Sequence, residues 1–163
     1  MTDNNSEAAQ DSQGQQFNIQ KVFMKDMSFE TPNSPAIFTE EWKPDINLQL
    51  TSNATPMAEG LFEVVLSLTV TAKLGEKTAY LAEIQQGGIF SLGGFDQQQM
   101  SHMLGAFCPN VLYPFAREAI ADLIGKGGFP PVYVAPVNFD ALYAQRMQEI
   151  QAQVASGQEG AAH

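Results

Sequence analysis

His102 and Cys108 are the one pair of side chains that could act as a thiolate nucleophile and its base, since Cys108 is the single cysteine and the other histidine is His163. They stand six residues apart on a stretch that reads as helix, a spacing that turns them to different faces. Free cysteine is usually a small core residue, so the pair reads as packing beside a surface imidazole. One cysteine and two histidines make no zinc set. The run Gly87-Gly88-Ile89-Phe90-Ser91-Leu92-Gly93-Gly94 has neither the Lys-Ser/Thr pair of a phosphate loop nor the dinucleotide spacing. No G-x-S-x-G elbow occurs, and Asp96, Glu118 and Asp122 read as solvated helix charges. Bond-making chemistry is absent from this list, so the expectation is a non-enzyme with no cofactor and no metal.

Apolar side chains in unusual places carry more information. The chain holds 11 Phe, 4 Tyr, 7 Met and one Trp, and most of these belong in a core. Phe38 and Trp42, however, lie with Ile37 in a stretch punctuated by Pro32, Pro35 and Pro44, and Tyr143 and Met147 fall on the last helical stripe. A loop and a helix offering aromatic and flexible apolar groups could border a groove that accepts many sequences. Asp26, Glu30 and Glu83 sit in strand-like segments, where they form either a solvated sheet face or a dock for a basic partner. The balance of 8 Lys+Arg against 18 Asp+Glu, a net charge of −10, argues against nucleic acid and anionic membrane as partners.

These groups need elements to position them. Residues 1–16 contain no aromatic or branched aliphatic residue and read as a disordered polar tail. Phe17, Ile19, Lys21 and Phe23 alternate, and a phase slip at Met24 lets Met27 and Phe29 continue, which predicts a bulged strand. The span 31–44 is a long crossover loop. Ile46, Leu48 and Leu50 alternate, as do Phe62 through Ala72, and Leu74-Gly75-Glu76-Lys77 turns the chain into a strand expected over 78–86. After the Gly87-Gly88 and Gly93-Gly94 pairs the period becomes helical, with Met100, Met103, Leu104, Phe107, Val111, Phe115, Ala119 and Leu123 on one stripe and a kink expected between Cys108 and Pro114. Asn138 caps a last helix marked by Phe139, Tyr143, Met147, Ile150 and Val154, before a flexible tail at 155–163. The fold class is α+β: a four-stranded antiparallel, Greek-key-like sheet packed with two long helices. A size of 163 residues and 44% hydrophobic content suits one domain, placed at 17–154. No window of ~18 apolar residues and no signal-like N-terminus is visible, so a cytoplasmic protein without direct membrane insertion is expected.

Four segments resemble the bacterial protein-export chaperone family SecB: Lys25-Asp26-Met27-Ser28-Phe29-Glu30-Thr31-Pro32-Asn33, Gln85-Gln86-Gly87-Gly88-Ile89-Phe90, Leu104 through Pro114 (LGAFCPNVLYP) and Ala135 through Leu142 (APVNFDAL). They occur in family order between about Phe17 and Ile150. The resemblance implies an ATP-independent holdase that binds unfolded secretory precursors, assembles as a homotetramer (a dimer of dimers) and delivers its load to the ATPase SecA. It assigns SecA binding to Asp26, Glu30, Leu81 and Glu83, and a client groove to Phe38, Trp42, Phe139, Leu142, Tyr143 and Met147. Two departures stand out: the N-terminal tail is long, and Glu159 is the one acid of the C-terminal tail, which weakens any SecA contact through an acidic tail. The alternative is a dedicated single-client chaperone of the toxin–antitoxin-associated type on the same scaffold.

Overall fold

The computed structural model describes residues 14–159. Four antiparallel strands form one sheet: β1 (Gln16–Glu30), β2 (Asp45–Ala58), β3 (Leu61–Leu74) and β4 (Lys77–Gly93), in the order β1-β4-β3-β2. Two tight hairpins join β2, β3 and β4, with Gly60 and Gly75 in the left-handed conformation that these turns require. The loop 31–44 carries the chain from one sheet edge to the other, which makes the order a Greek key. It contains a short 3-10 turn, Ala36–Thr39, whose Ile37 is buried under the sheet end.

One sheet face is covered and the other is open. Val64, Leu66, Leu68, Val70 and Ala72 of β3 alternate with Tyr80, Ala82, Ile84 and Phe90 of β4 to floor the core, all fully buried. A long helical segment lies across β3 and β4. It begins as α1 (Gln97–His102), passes through a single π-helical turn (Met103–Phe107) and continues as α2 (Cys108–Lys126). Asp96 is the N-cap of α1, accepting from the Gln99 amide while the Gln99 side chain accepts from the Asp96 amide, so this acid has a structural task beyond solvated charge. The expected irregularity falls slightly earlier than predicted: the Cys108 amide bonds back five residues to Met103, directly ahead of Pro109, and α2 then remains helical through Pro114. α3 (Phe139–Glu159) starts where Asn138 Oδ1 accepts from the Ala141 amide at 3.0 Å.

Element ends and registers differ from the sequence reading in several places, among them β2, which runs on past Thr51 to Ala58. β4 does not stop at Gln86 but runs on through Gly87 and Gly88 to Gly93. β1 carries two bulges, one between Ile19 and Lys21 and one between Met24 and Asp26. Lys21 and Phe23 therefore leave the row begun by Phe17 and face the open side, where the Phe23 ring lies over Gly87. α3 continues to Glu159, so helix covers part of the span expected as a C-terminal tail; residues 1–13 and 160–163 of the expected tails lie outside the described residues, while Gln16 already opens β1.

Candidate functional site

The residues assigned to SecA come together on the open sheet face. Pairing of β1 with β4 sets Ser28 opposite Glu83, Glu30 opposite Leu81 and Asp26 opposite Gln85, so Asp26, Glu30, Leu81 and Glu83 occupy one side of two neighbouring strands. Leu81 is exposed at one end of this row, beside Glu30 and Glu83. A fourth acid of this face, Glu63, is neutralised by Lys25 at 2.8 Å. Among the described residues none of Asp26, Glu30 and Glu83 is ion-paired, and Glu83 only accepts from Thr69 Oγ1 at 3.2 Å. The patch is a row that begins with the exposed Leu81 beside Glu30 and continues through Glu83 to Asp26, with none of the three acids ion-paired among the described residues.

The six residues that the resemblance assigns to a client groove divide into two groups at opposite ends of the covered face. Phe38 and Trp42 belong to an aromatic cluster centred on Phe129, with ring centroids 4.8 Å and 5.4 Å from it, and Tyr80 and Phe29 complete the cluster. Burial pushes the Tyr80 phenol up to about 12. Phe139, Leu142, Tyr143 and Met147 lie at the other end, where α3 faces β2 across a hollow of about 670 Å³ whose floor includes Leu50, Ala54 and Leu66. Phe139 is buried and packs edge-on against Tyr113 at 5.4 Å, which makes it the anchor of α3 as well as part of the lining. Leu142 is exposed at the rim.

The inner row of β2 joins the two groups. Ile46, Leu48, Leu50, Ser52 and Ala54 pair with Ala72, Val70, Leu68, Leu66 and Val64, so they form one line from the loop that carries Trp42 to the floor beneath Tyr143. α2 covers β3 and β4 but leaves this edge strand open: Ile46 is 42% exposed and Leu48 40%. In the sequence both are ordinary members of an alternating strand, and Phe129 belongs to no periodic pattern, standing between Gly127-Gly128 and Pro130-Pro131. The tight seating of Phe29 against Gly127 and of Phe38 against Gly128 explains why glycines precede Phe129.

His102 and Cys108 play other parts. Cys108 is fully buried, and burial pushes its thiol up to about 12, so it stays protonated and unreactive near neutrality. His102 Nε2 donates to Asp140 Oδ1 at 2.6 Å and ties α1 to the first turn of α3.

The family described as "Preprotein translocase subunit SecB" matches residues 10–150. A curated protein of Nitrosococcus oceani named "Protein-export protein SecB" is 57% identical over 149 residues, covering 90% of this chain and 91% of its own length. Another of the same name from Methylococcus capsulatus is 59% identical over 138 residues, covering 85% and 89%. Among solved structures, a Mycobacterium tuberculosis SecB-like chaperone in complex with an antitoxin-derived ChAD peptide superposes with a TM-score of 0.56 over 74% of this chain and 90% of that one, at 16% identity, a likeness of fold. With the family profile spanning almost all of the folded region and relatives at this identity matched nearly end to end, the chain belongs to the SecB family.

Proposed function

We propose that the protein is an ATP-independent holdase of the cytoplasm that keeps unfolded secretory precursors export-competent on its covered side and docks on SecA through its open sheet face. The observation that carries this reading is the continuous apolar line from the Phe38, Trp42, Phe129 cluster along Ile46, Leu48 and Leu50 to the α3 hollow. An unfolded chain laid along it gains roughly 25 cal/mol for each Å² of apolar surface removed from water, without demanding a particular sequence. The acidic patch lies on the opposite side of the same sheet, so a client and a basic partner can be held together. No helix of the described residues is long and apolar enough to cross a membrane.

A homotetramer built as a dimer of dimers fits the surfaces left over. Ile19 and Met27 on the edge strand β1, and Phe107 and Phe115 along the long helical segment, remain exposed on the single chain, and faces of that kind call for a partner subunit. Several grooves on one assembly then turn weak segment contacts into avidity. The test is competition. Unrelated reduced, unfolded polypeptides should displace one another from the protein, whereas failure of all but one to bind would establish a dedicated single-client chaperone instead.

A further inference from the structure

α3 forms one wall of the hollow, and the structure shows where it is fixed. From Gln148 to Gln158 every residue of α3 is exposed, so the helix is held by its first turns. Tyr143 is the central contact there. Its hydroxyl lies 2.8 Å from Ser101 Oγ, its ring meets His102 edge-on at 5.4 Å, and His102 in turn bonds Asp140. Directly against this ring is Gly105, in the middle of the π-helical turn. A Cβ at position 105 would stand 2.7 Å from Tyr143 Cδ2 and 2.8 Å from Cε2. Ordinary carbon contacts need about 3.5–4.0 Å, so a methyl group here would push the ring away by ~1 Å. The ring cannot simply swing aside while Ser101 holds its hydroxyl and His102 flanks its edge.

Glycine is a poor choice inside a helix unless something demands a bare backbone. We propose that Gly105 is a positioning residue for client holding: it is the seat on which Tyr143 rests, and it sets how far α3 stands from β2 and hence the width of the hollow. The assignment rests on the hollow being the client groove. The π-helical turn carries Gly105 at its centre, in keeping with the frequent occurrence of such single turns at functional sites.

A double-mutant cycle on the full-length chain tests the seat, with two readouts: hydrogen exchange of the α3 amides and affinity for a reduced, unfolded precursor. Gly105→Ala should speed exchange in the first turns of α3 about tenfold and weaken client binding by a similar factor, although alanine is the better helix former. In a Tyr143→Ala background the same substitution should leave exchange unchanged or slow it, because the clash is gone. Slower exchange on Gly105→Ala in both backgrounds overturns the seat. Faster exchange with unaltered client affinity keeps the seat and removes the hollow from the client site, so the two readings fail separately. If Gly105→Ala alone does not fold, recovery of folded protein on adding Tyr143→Ala supports the seat, and continued failure overturns it.

Discussion

Replacing Ile46 and Leu48 together by Thr should separate client holding from SecA docking. Threonine is β-branched and suits an edge strand, so the pairing of Ile46 with Ala72 and Leu48 with Val70 should persist. Full burial of an Ile or Leu side chain is worth about 1.5–3 kcal/mol, and 42% and 40% of these two side chains' residues remain open to be covered by a client. Covering them therefore contributes roughly 1 kcal/mol each, or about 2 kcal/mol together, which corresponds to ~30-fold in Kd. The share already buried is lost from folding instead, at about 1–2 kcal/mol per site, and denaturant titration measures it separately. Affinity for a reduced, unfolded precursor, read by fluorescence anisotropy of the labelled client, should fall about 30-fold while SecA binding stays unchanged. An unaltered client Kd with the assembly intact would refute the proposal that the β2 row joins the two ends of the groove.

Three further outcomes are expected. Asp26→Lys with Glu83→Lys should weaken SecA binding at least a hundredfold, since a charge contact at 4 Å is worth about 1 kcal/mol in water and reversal roughly doubles the change per site; calorimetry at rising salt should show wild-type docking fading above ~0.15 M, and an equal loss of client binding would remove the patch from its role. Trp42→Ala with Tyr143→Ala, which deletes one aromatic at each end of the groove, should cost more than tenfold in client affinity, and wild-type affinity in this variant would place the groove elsewhere. Cys108 should react with a thiol reagent at pH 8 only after urea unfolding. Because folding raises its thiol from 9.0 to about 12, its contribution to stability is complete below pH 9 and is lost as pH rises through the range up to about 12, so Cys108→Ser should flatten the alkaline limb of a stability profile.

The β3–β4 hairpin was readable because the hydrophobic alternation of 62–72 and the Gly75 turn are local signals, whereas the acidic patch came from the family resemblance and becomes one surface only through the long-range pairing of β1 with β4. β4 was cut short for a tertiary reason. A Cβ at Gly87 would stand 2.5 Å from Phe23 Cζ, and one at Gly88 would stand 2.7 Å from Phe90 Cε2 and 2.9 Å from Leu112 Cδ2, so these glycines are strand residues that admit neighbouring side chains. In a single sequence they look the same as turn glycines. The bulge at Met24 showed as a slip in the apolar phase, but the one after Ile19 did not, because Lys21 and Phe23 continue an apparent alternation on the wrong face. Of the groove, the aromatic residues stood out by type, while Ile46 and Leu48 did not: their exposure depends on how far α2 reaches across the sheet, a distance that no local pattern encodes.

Native mass spectrometry of the protein mixed with a reduced, unfolded secretory precursor addresses the central claim most directly, because one spectrum reports assembly and capture together. The expected species is four 17.8 kDa chains carrying one client, which gains SecA without losing the client. A lone 17.8 kDa chain at micromolar concentration, or a tetramer that stays empty beside an excess of unfolded precursor, would contradict it.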